Sequence, residues 1–143
     1  MNEEYGDCLK KGKIKAFSRG KDLASSEIEA ARSDLARAEK TFKDEDYKWT
    51  TVQLYYSMFH AARALLYSKN LREHSHFCLI QAMKELFVTK GAFPVVFIEA
   101  LTEAKNLRED ADYYNRWSRE ACEKLLKKSV EFLKIAEKLV KKS

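Results

Sequence analysis

The chain has 143 residues, enough for one domain with its own core, and its low glycine and proline content with 34% charged residues favours helices over sheets. The net charge is +5, and the excess of lysine and arginine lies in residues 1–21 and 116–143, which fits either nucleic-acid binding or a solvated lysine face. The first twenty residues lack an apolar leader, and the most apolar stretch contains His60 and Arg63, which argues against export and a membrane span and predicts a cytoplasmic protein.

Residues 1–21 are predicted to form a basic lead-in to a single helical domain at residues 22–143. Within the lead-in, residues 8–17 predict a short helix, and Gly20 is expected to end it because glycine favours helix ends. The chain has three cysteines, an odd number without CxxC spacing. This pattern predicts reduced and mostly buried side chains at Cys8, Cys78 and Cys122.

The first helix of the domain is predicted from a capping-box pattern at residues 26–29, followed by apolar residues that repeat every three or four positions as far as Phe42. Asp44 or Asp46 is expected to cap the next helix. That helix, residues 47–70, is apolar or aromatic on nearly every side and contains no glycine or proline. A helix that is hydrophobic all round is a buried one, so this segment is predicted to be the central post of the fold.

A third helix is predicted to begin at Ser75 as its N-cap and to end at Gly91. Its spacing predicts inward-facing side chains at Phe77, Ile80, Met83, Leu86 and Phe87. Pro94 suits the first turn of a fourth helix, which is expected over residues 95–106.

Residues 107–116 are polar and lack a clear period, so they predict a junction between helices. Asn115 or Ser118 is expected to cap the last helix, which carries one apolar stripe and many lysines. No strand alternation is visible, and the connections are short. The predicted fold is therefore all-α, an up-and-down bundle of four to five helices with a short N-terminal helical lead-in.

Two groups of polar residues are candidate site residues. Tyr56, His60 and Arg63 share one face of the central helix. Either His60 is a buried histidine satisfied by a neighbour, or the three residues form a polar network that lines a groove or a two-fold interface. The junction carries Arg108 and Asp112, which either pair with each other or leave the arginine free as a phosphate clamp.

Metal and cofactor sites have little support in the sequence. His74 and Cys78 share a helical face, but His76 points away and no second cluster completes a zinc site. There is no nucleophile elbow, phosphate-binding loop, dinucleotide fingerprint or HExxH motif. We therefore expect neither a metal nor a cofactor.

Three stretches, in this order and spacing, resemble the HEPN domain family and more narrowly its small prokaryotic single-domain (UPF0332-like) branch. They are YYSMFHAARALL at residues 55–66, FVTKGAF at 87–93 and LREDADYY at 107–114. The resemblance covers roughly residues 22–142. It implies a bundle of four or five helices, usually a homodimer, and many relatives work as toxin and antitoxin with a minimal nucleotidyltransferase.

Active members of this family are metal-independent RNases, with an arginine followed after four to six residues by a histidine. Arg108 matches the arginine, but Tyr113, Tyr114 and Asn115 stand where the histidine is expected. Histidine suits proton transfer because its pKa is near neutral, whereas a tyrosine is a poor general base. Arg108 is then expected to stabilise phosphate charge, with Tyr113 as the residue at the histidine position.

Some relatives are modified by nucleotidyl transfer onto a tyrosine just after this motif, and Tyr113 and Tyr114 occupy about that place. The leading hypothesis is a homodimeric HEPN protein that binds RNA or nucleotide phosphate near Arg108, with Asp112, Tyr114, Tyr56, His60 and Arg63 around it. The alternatives are a catalytically inactive interaction or nucleotide-binding module and a plain helical scaffold.

Overall fold

The computed structural model describes residues 2–142, and its elements confirm an all-α bundle with a helical lead-in. In chain order they are α1 (Glu3–Lys10), β1 (Ile14–Ala16), α2 (Gly20–Lys43), α3 (Tyr47–Tyr67), β2 (Leu71–Glu73), α4 (His76–Met83), a π-helical turn (Lys84–Val88), α5 (Val95–Tyr113) and α6 (Arg119–Lys141). None of these helices has the length and apolar character that crossing a membrane requires.

Helix α3 is the central post that its composition predicts. It packs against α2, α4, α5 and α6, and most of its side chains are buried. Ala61, Ala62 and Ala64 are fully buried, and their small side chains allow the neighbouring helices to approach closely. Trp49 in its first turn is the exception, because 48% of this residue is exposed.

The caps and breaks of α4, α5 and α6 agree with the sequence-based predictions. The hydroxyl oxygen of Ser75 accepts a hydrogen bond from the backbone N–H of Cys78 at 3.1 Å. Ser118 accepts one from the N–H of Ala121 at 3.1 Å. Pro94 stands immediately before α5 with an extended backbone. Each serine satisfies a backbone donor that a helix start would otherwise leave unpaired.

Helix α2 begins at Gly20, six residues before the predicted capping box, and the predicted helix start was therefore wrong. The prediction that Gly20 ends a helix was also wrong, because Gly20 begins one. Gly20 starts α2 at a point where a Cβ atom would stand 2.4 Å from the carbonyl oxygen of Tyr67. The N–H of Lys21 donates to Oδ1 of Asn70 at 3.0 Å. A tertiary contact with the end of α3 therefore replaces the local cap that the sequence indicated.

The lead-in also departs from its prediction, because the helix lies at Glu3–Lys10 rather than at residues 8–17. The residues that follow form β1, which pairs antiparallel with β2 in the register Ile14↔Glu73 to Ala16↔Leu71. The expectation of no strand was therefore wrong. Two three-residue strands are too short to show an alternating pattern, and their pairing is a long-range contact.

Two of the three cysteines are not reduced. Cys8 on α1 and Cys78 on α4 form a disulfide across 70 residues of sequence, which corrects the prediction for this pair. Both are buried, as expected. Cys122 is free and buried, with its sulfur 3.0 Å from Oγ1 of Thr51 and 3.2 Å from the carbonyl oxygen of Tyr47.

Two further corrections concern α4 and α5. Phe77 is 57% exposed rather than inward-facing, whereas the other predicted inward residues are buried or half-buried. Helix α5 continues to Tyr113, so Arg108 lies on a regular helix and not at a junction between helices. Asn115 adopts a left-handed backbone with φ 54° in the short connection to α6.

Candidate functional site

Arg108 lies near the end of α5 among three tyrosine rings, an arrangement that we name the Arg108 cage. The guanidinium carbon is 5.6 Å from the ring centre of Tyr55, 5.5 Å from that of Tyr56 and 5.9 Å from that of Tyr113. Nε donates to Oδ2 of Asp112 at 3.1 Å, one turn further along the helix. Cation–π contacts from two helices and one ion pair therefore hold the guanidinium in place.

The chemistry available at Arg108 follows from which of its nitrogens are engaged. The ion pair with Asp112 uses Nε, and the terminal NH₂ groups have no hydrogen-bond partner among residues 2–142. Burial lowers the pKa of this guanidinium, but the tyrosines and Asp112 outweigh it and raise the pKa above its ordinary value. The group is therefore a permanent cation with donors left for the oxygen atoms of an anion.

Tyr55 links the Arg108 cage to a histidine that lies outside it. Its hydroxyl oxygen is 3.4 Å from Nδ1 of His76, at the start of α4. Burial, and then the charge of Lys105, lower the pKa of this histidine to about 4, although Glu109 opposes the shift. The imidazole is therefore neutral at pH 7. Sequence reasoning placed His76 only at a helix start, because its nearness to Tyr55 depends on the packing of α4 against α3.

His60 and Arg63 do not contact Arg108, whereas Tyr56, which was predicted to share their face of α3, does. Nδ1 of His60 lies 2.6 Å from Oε2 of Glu27 on α2. A terminal nitrogen of Arg63 donates to Oε2 of Glu73 at 2.9 Å, and the guanidinium carbon lies 4.5 Å from the ring centre of Phe59. The interpretation of a histidine satisfied by a neighbour therefore describes this end of α3.

The reason for this separation is the spacing along α3. Tyr56 and Arg63 share a face, but they are two turns apart, at about 1.5 Å per residue. At the end near Arg63, acidic residues of α2 and β2 cover the face. Burial raises the pKa of Glu27, but the hydrogen bond and charge of His60 and the charge of Arg63 outweigh it and lower that pKa overall. This cluster acts as a structural clamp between α3, α2 and β2.

Exposed aromatic side chains surround the connection from α5 to α6, and we name them the aromatic platform. They are Trp49, Tyr113, Tyr114 and Trp117, each between 44% and 66% exposed. The ammonium group of Lys48 is 5.6 Å from the ring centre of Trp49 and 5.8 Å from that of Trp117. Arg116 lies 5.4 Å from the ring centre of Tyr114. The sequence offered one signal for this surface, which is the alternation of aromatic and basic residues around position 116.

The site contains no evident metal centre. In the part of the chain that the structure describes, no three histidine, cysteine, aspartate or glutamate side chains are grouped closely enough to hold an ion. The chemistry that the arrangement offers is a fixed guanidinium, a neutral imidazole one tyrosine away and exposed ring faces.

Acidification is expected to destabilise the protein through His76. Its pKa is 6.5 in the unfolded chain and about 4 in the folded one, so the unfolded state binds the proton more readily. The stability that the neutral histidine contributes is fully present above pH 6.5 and is lost as the pH falls from 6.5 to 4. The full loss is about 2–3 kcal/mol after allowance for partial exposure.

Urea unfolding at several pH values in this range measures that loss. A His76→Gln variant should lose less stability than the original chain over the same interval, while a His74→Gln variant should follow the original chain. Equal pH dependence in all three proteins would refute the assignment, and titration of the imidazole signals by NMR reads the pKa directly.

Comparisons with known proteins agree with this fold. A model of the HEPN domain matches residues 24–139. The protein named "Putative toxin MJ0605" from Methanocaldococcus jannaschii is 35% identical over 86 residues, which are 60% of this chain and 64% of that protein. "Putative toxin MJ0142" from the same organism is 31% identical over 86 residues, which are 60% of this chain and 58% of that protein.

A third relative comes from another organism, Gloeobacter violaceus. It is named "UPF0332 protein glr0978" and is 32% identical over 85 residues, 57% of this chain and 68% of that protein. The matched part of the chain spans less than two thirds of the length of the two Methanocaldococcus proteins.

Proposed function

This chain belongs to the HEPN domain family, and on that basis we propose that it is a toxin-like protein that binds RNA or nucleotide phosphate at Arg108. The observation that carries the proposal is the cage itself, in which the guanidinium is fixed by Asp112 and three tyrosine rings while its terminal NH₂ groups lack a partner among the described residues. A planar fork of this kind matches two phosphate oxygens. The toxin-like role is carried over from the names of two relatives.

The aromatic platform supports single-stranded RNA as the bound form. Exposed rings provide faces on which unpaired bases stack, and neighbouring cations follow the phosphates. Lys48, Arg116 and Arg119 all lie within 6 Å of an aromatic ring centre on this side of the protein. A strand that stacks on the platform would bring a phosphate close to Tyr113, which borders Arg108.

The proposed partners are a second copy of the chain and a minimal nucleotidyltransferase. The functional unit would be the domain at residues 22–143, with the lead-in attached to it by the disulfide. Two copies that meet beside the end of α5, with the aromatic platform left open to RNA, would place two Arg108 cages near one another.

Metal-independent cleavage of RNA is the proposed activity if the protein is an enzyme. Arg108 would stabilise the charge on the phosphate, and Tyr113 occupies the position of the family's histidine. A phenol is a weak general base at neutral pH, so the missing histidine favours a second candidate. That candidate is a catalytically inactive HEPN module that binds nucleotide or RNA without cleaving it.

Incubation of the purified protein with labelled single-stranded RNA in the presence of a chelator separates these functions. Cleavage that disappears in an Arg108→Ala variant supports the enzyme. Binding without cleavage supports the inactive module. The absence of both, at low salt and with a folded protein, would contradict the proposal and leave the plain helical scaffold.

Modification of a tyrosine by the partner is expected at Tyr113 or Tyr114, because both are more than 60% exposed at the end of α5. The phenol oxygen would attack the α-phosphate of a nucleoside triphosphate, with release of pyrophosphate. Mass spectrometry after incubation with the nucleotidyltransferase and ATP should show one added nucleotide on this pair. Tyr113→Phe and Tyr114→Phe variants identify the acceptor, and a double variant that is still modified would refute the assignment.

A Trp117→Ala variant is expected to bind single-stranded RNA about tenfold less tightly, because stacking of a base on an aromatic ring contributes roughly 1–3 kcal/mol. Trp117 is 44% exposed, so its removal should leave the fold intact. Fluorescence anisotropy with a short labelled RNA measures the affinity. Val96→Ala, a comparably exposed apolar residue at the start of α5, is the matched control and should bind as the original chain does.

A further inference from the structure

The two halves of the lead-in are attached to the bundle in different ways. The second half is held by its backbone, because β1 pairs with β2 and the N–H of Phe17 donates to the carbonyl oxygen of Asn70 at 2.7 Å. The first half is helix α1, which packs on α4 through side chains and carries one end of the disulfide. The two halves can therefore separate from the bundle independently.

Helix α1 runs antiparallel along α4 and the π-helical turn. At its start, the backbone N–H of Asn2 donates to Oε1 of Glu85 at 2.9 Å. Near its end, Cys8 is bonded to Cys78 in the first turn of α4. Tyr5 lies between these two contacts and is 6% exposed. Since an eight-residue helix is unstable without a packing surface, α1 depends on these few contacts to stay folded.

The disulfide lies one helical turn from a residue that contacts the Arg108 cage. Cys78 follows His76 by two positions, and its N–H is the donor that Ser75 accepts at the start of α4. Nδ1 of His76 is 3.4 Å from the hydroxyl oxygen of Tyr55, whose ring borders the guanidinium of Arg108. A short series of contacts thus connects the disulfide with the proposed phosphate site.

The position of the bond makes its opening conditional on movement of α1. Cys8 is 2% exposed and Cys78 is 5% exposed, so a reductant reaches the sulfur atoms when α1 lifts from α4. Local openings of this kind need less free energy than unfolding of a whole domain. The sequence predicts a cytoplasmic protein, and disulfides that form in such proteins are usually transient and catalytic or redox-sensing.

We propose that the Cys8–Cys78 disulfide is a redox switch, which a dithiol reductant opens and a disulfide oxidant closes. Opening releases α1 from α4 while β1 stays paired, and the chain turns at Gly12, where φ is 68°. The release loosens the start of α4 and, through His76, the Arg108 cage. The oxidised protein is the state that binds RNA phosphate more tightly, and this last step rests on the function proposed above for Arg108.

The opening reaction is thiol–disulfide exchange. One thiolate of the reductant attacks a sulfur of the disulfide, so that a mixed disulfide forms and the other cysteine leaves as a thiolate. The second thiolate of the reductant attacks the mixed disulfide and displaces the remaining cysteine. The reductant ends as a disulfide, having given two electrons and two protons, and both cysteines end as thiols. Oxidised glutathione closes the switch by two exchanges in the opposite direction and is reduced to two thiols.

The cage is expected to respond because its preorganisation depends on Tyr55. The hydroxyl of Tyr55 is positioned by His76, and its ring is one of the three that surround the guanidinium. When the start of α4 loosens, Tyr55 loses this contact and its ring holds Arg108 less firmly. A guanidinium that is less fixed before binding loses more conformational freedom when it binds a phosphate, so the affinity falls.

Amide hydrogen exchange of the full chain, oxidised and after reduction with dithiothreitol, tests the release of α1. We expect the amides of residues 4–10 to exchange after reduction at nearly the rate of an open chain, while residues 14–17 and α3 keep measurable protection. A Cys8→Ala/Cys78→Ala variant should show the reduced pattern with and without dithiothreitol, and Cys122→Ser should respond as the original chain does. Unchanged protection of α1, or loss of all protection in the bundle, would overturn the switch.

The NMR signal of the Arg108 Nε–H group tests the link to the cage without RNA. Reduction should shift this signal in the original chain. It should not shift it in a Tyr55→Phe variant, which keeps the ring but lacks the hydroxyl that contacts His76. If reduction has no effect on the signal, or has the same effect in both proteins, the link through Tyr55 is wrong.

The affinity for a short single-stranded RNA should fall at least about fivefold when the original chain is reduced, which is the lower end of usual couplings between sites. The affinity of the Tyr55→Phe variant should change less than about twofold on reduction. Equal affinity of the oxidised and reduced original chain overturns redox control of binding. If neither form binds RNA, the function proposed for Arg108 fails, while hydrogen exchange and the Arg108 signal still decide whether the switch exists.

Discussion

An Arg108→Ala variant is expected to bind single-stranded RNA about 10- to 100-fold less tightly, because hydrogen bonds to a charged group contribute roughly 1.5–3 kcal/mol. The guanidinium is already fixed by Asp112 and the three rings, so little conformational freedom is lost when it binds a phosphate. Affinity should also depend less steeply on salt, with a slope reduced by about one phosphate contact.

Two matched variants show whether this loss reflects the site. Arg108→Lys keeps the charge but not the planar fork, so it should lie between the original chain and Arg108→Ala. Arg37→Ala removes an exposed arginine on the distant helix α2 and should have little effect. If Arg37→Ala weakens binding as much as Arg108→Ala does, the attraction is general and the cage is not a phosphate site. Circular dichroism confirms that each variant is folded.

Loss of the Cys8–Cys78 disulfide is expected to lower the free energy of unfolding by about 4 kcal/mol, which would be a large part of the stability of a domain of this size. The bond closes a loop of 70 residues, and cross-linking so long a loop removes much conformational freedom from the unfolded chain. The lead-in is otherwise held by a short strand pair and by the side of α1 that faces α4. It should therefore be the first part to open.

Urea unfolding of a Cys8→Ala/Cys78→Ala double variant, compared with the original chain before and after reduction, measures this contribution. Reduction should bring the original chain to the stability of the double variant and should leave the double variant unchanged. Cys122→Ser keeps a buried polar group of similar size and serves as the control for thiol effects. A difference below about 1 kcal/mol would contradict the chain-entropy argument.

The bundle could be predicted because its signals are local. Serine caps at Ser75 and Ser118, and the apolar composition of α3, are features of adjacent residues, and the structure confirms them. The strand pair and the disulfide could not be predicted, since each joins segments more than fifty residues apart. The start of α2 was missed for the same reason, because the side chain that accepts from its first turn is Asn70, in the distant turn between α3 and β2.

The same distinction between local signals and long-range contacts applies to the candidate site. The pairing of Arg108 with Asp112 follows from four-residue spacing on one helix, so the sequence indicates it directly. Tyr55 and His76 are distant in sequence, and their contact depends on how α4 packs. His60 and Arg63 were placed on the correct helical face, but their acidic partners come from α2 and β2 and could not be identified from α3 alone.

The close approach at Gly20 has a consequence for how this family varies. Any side chain at this position would meet the carbonyl oxygen of Tyr67 at 2.4 Å, so a substitution must push the start of α2 away from the end of α3. Gly91 contrasts with it, since a Cβ there would meet nothing within 4 Å, although its φ of 74° restricts the choice to residues that tolerate a left-handed backbone. Among homologues that keep this corner, position 20 should remain glycine, whereas asparagine can replace the glycine at position 91.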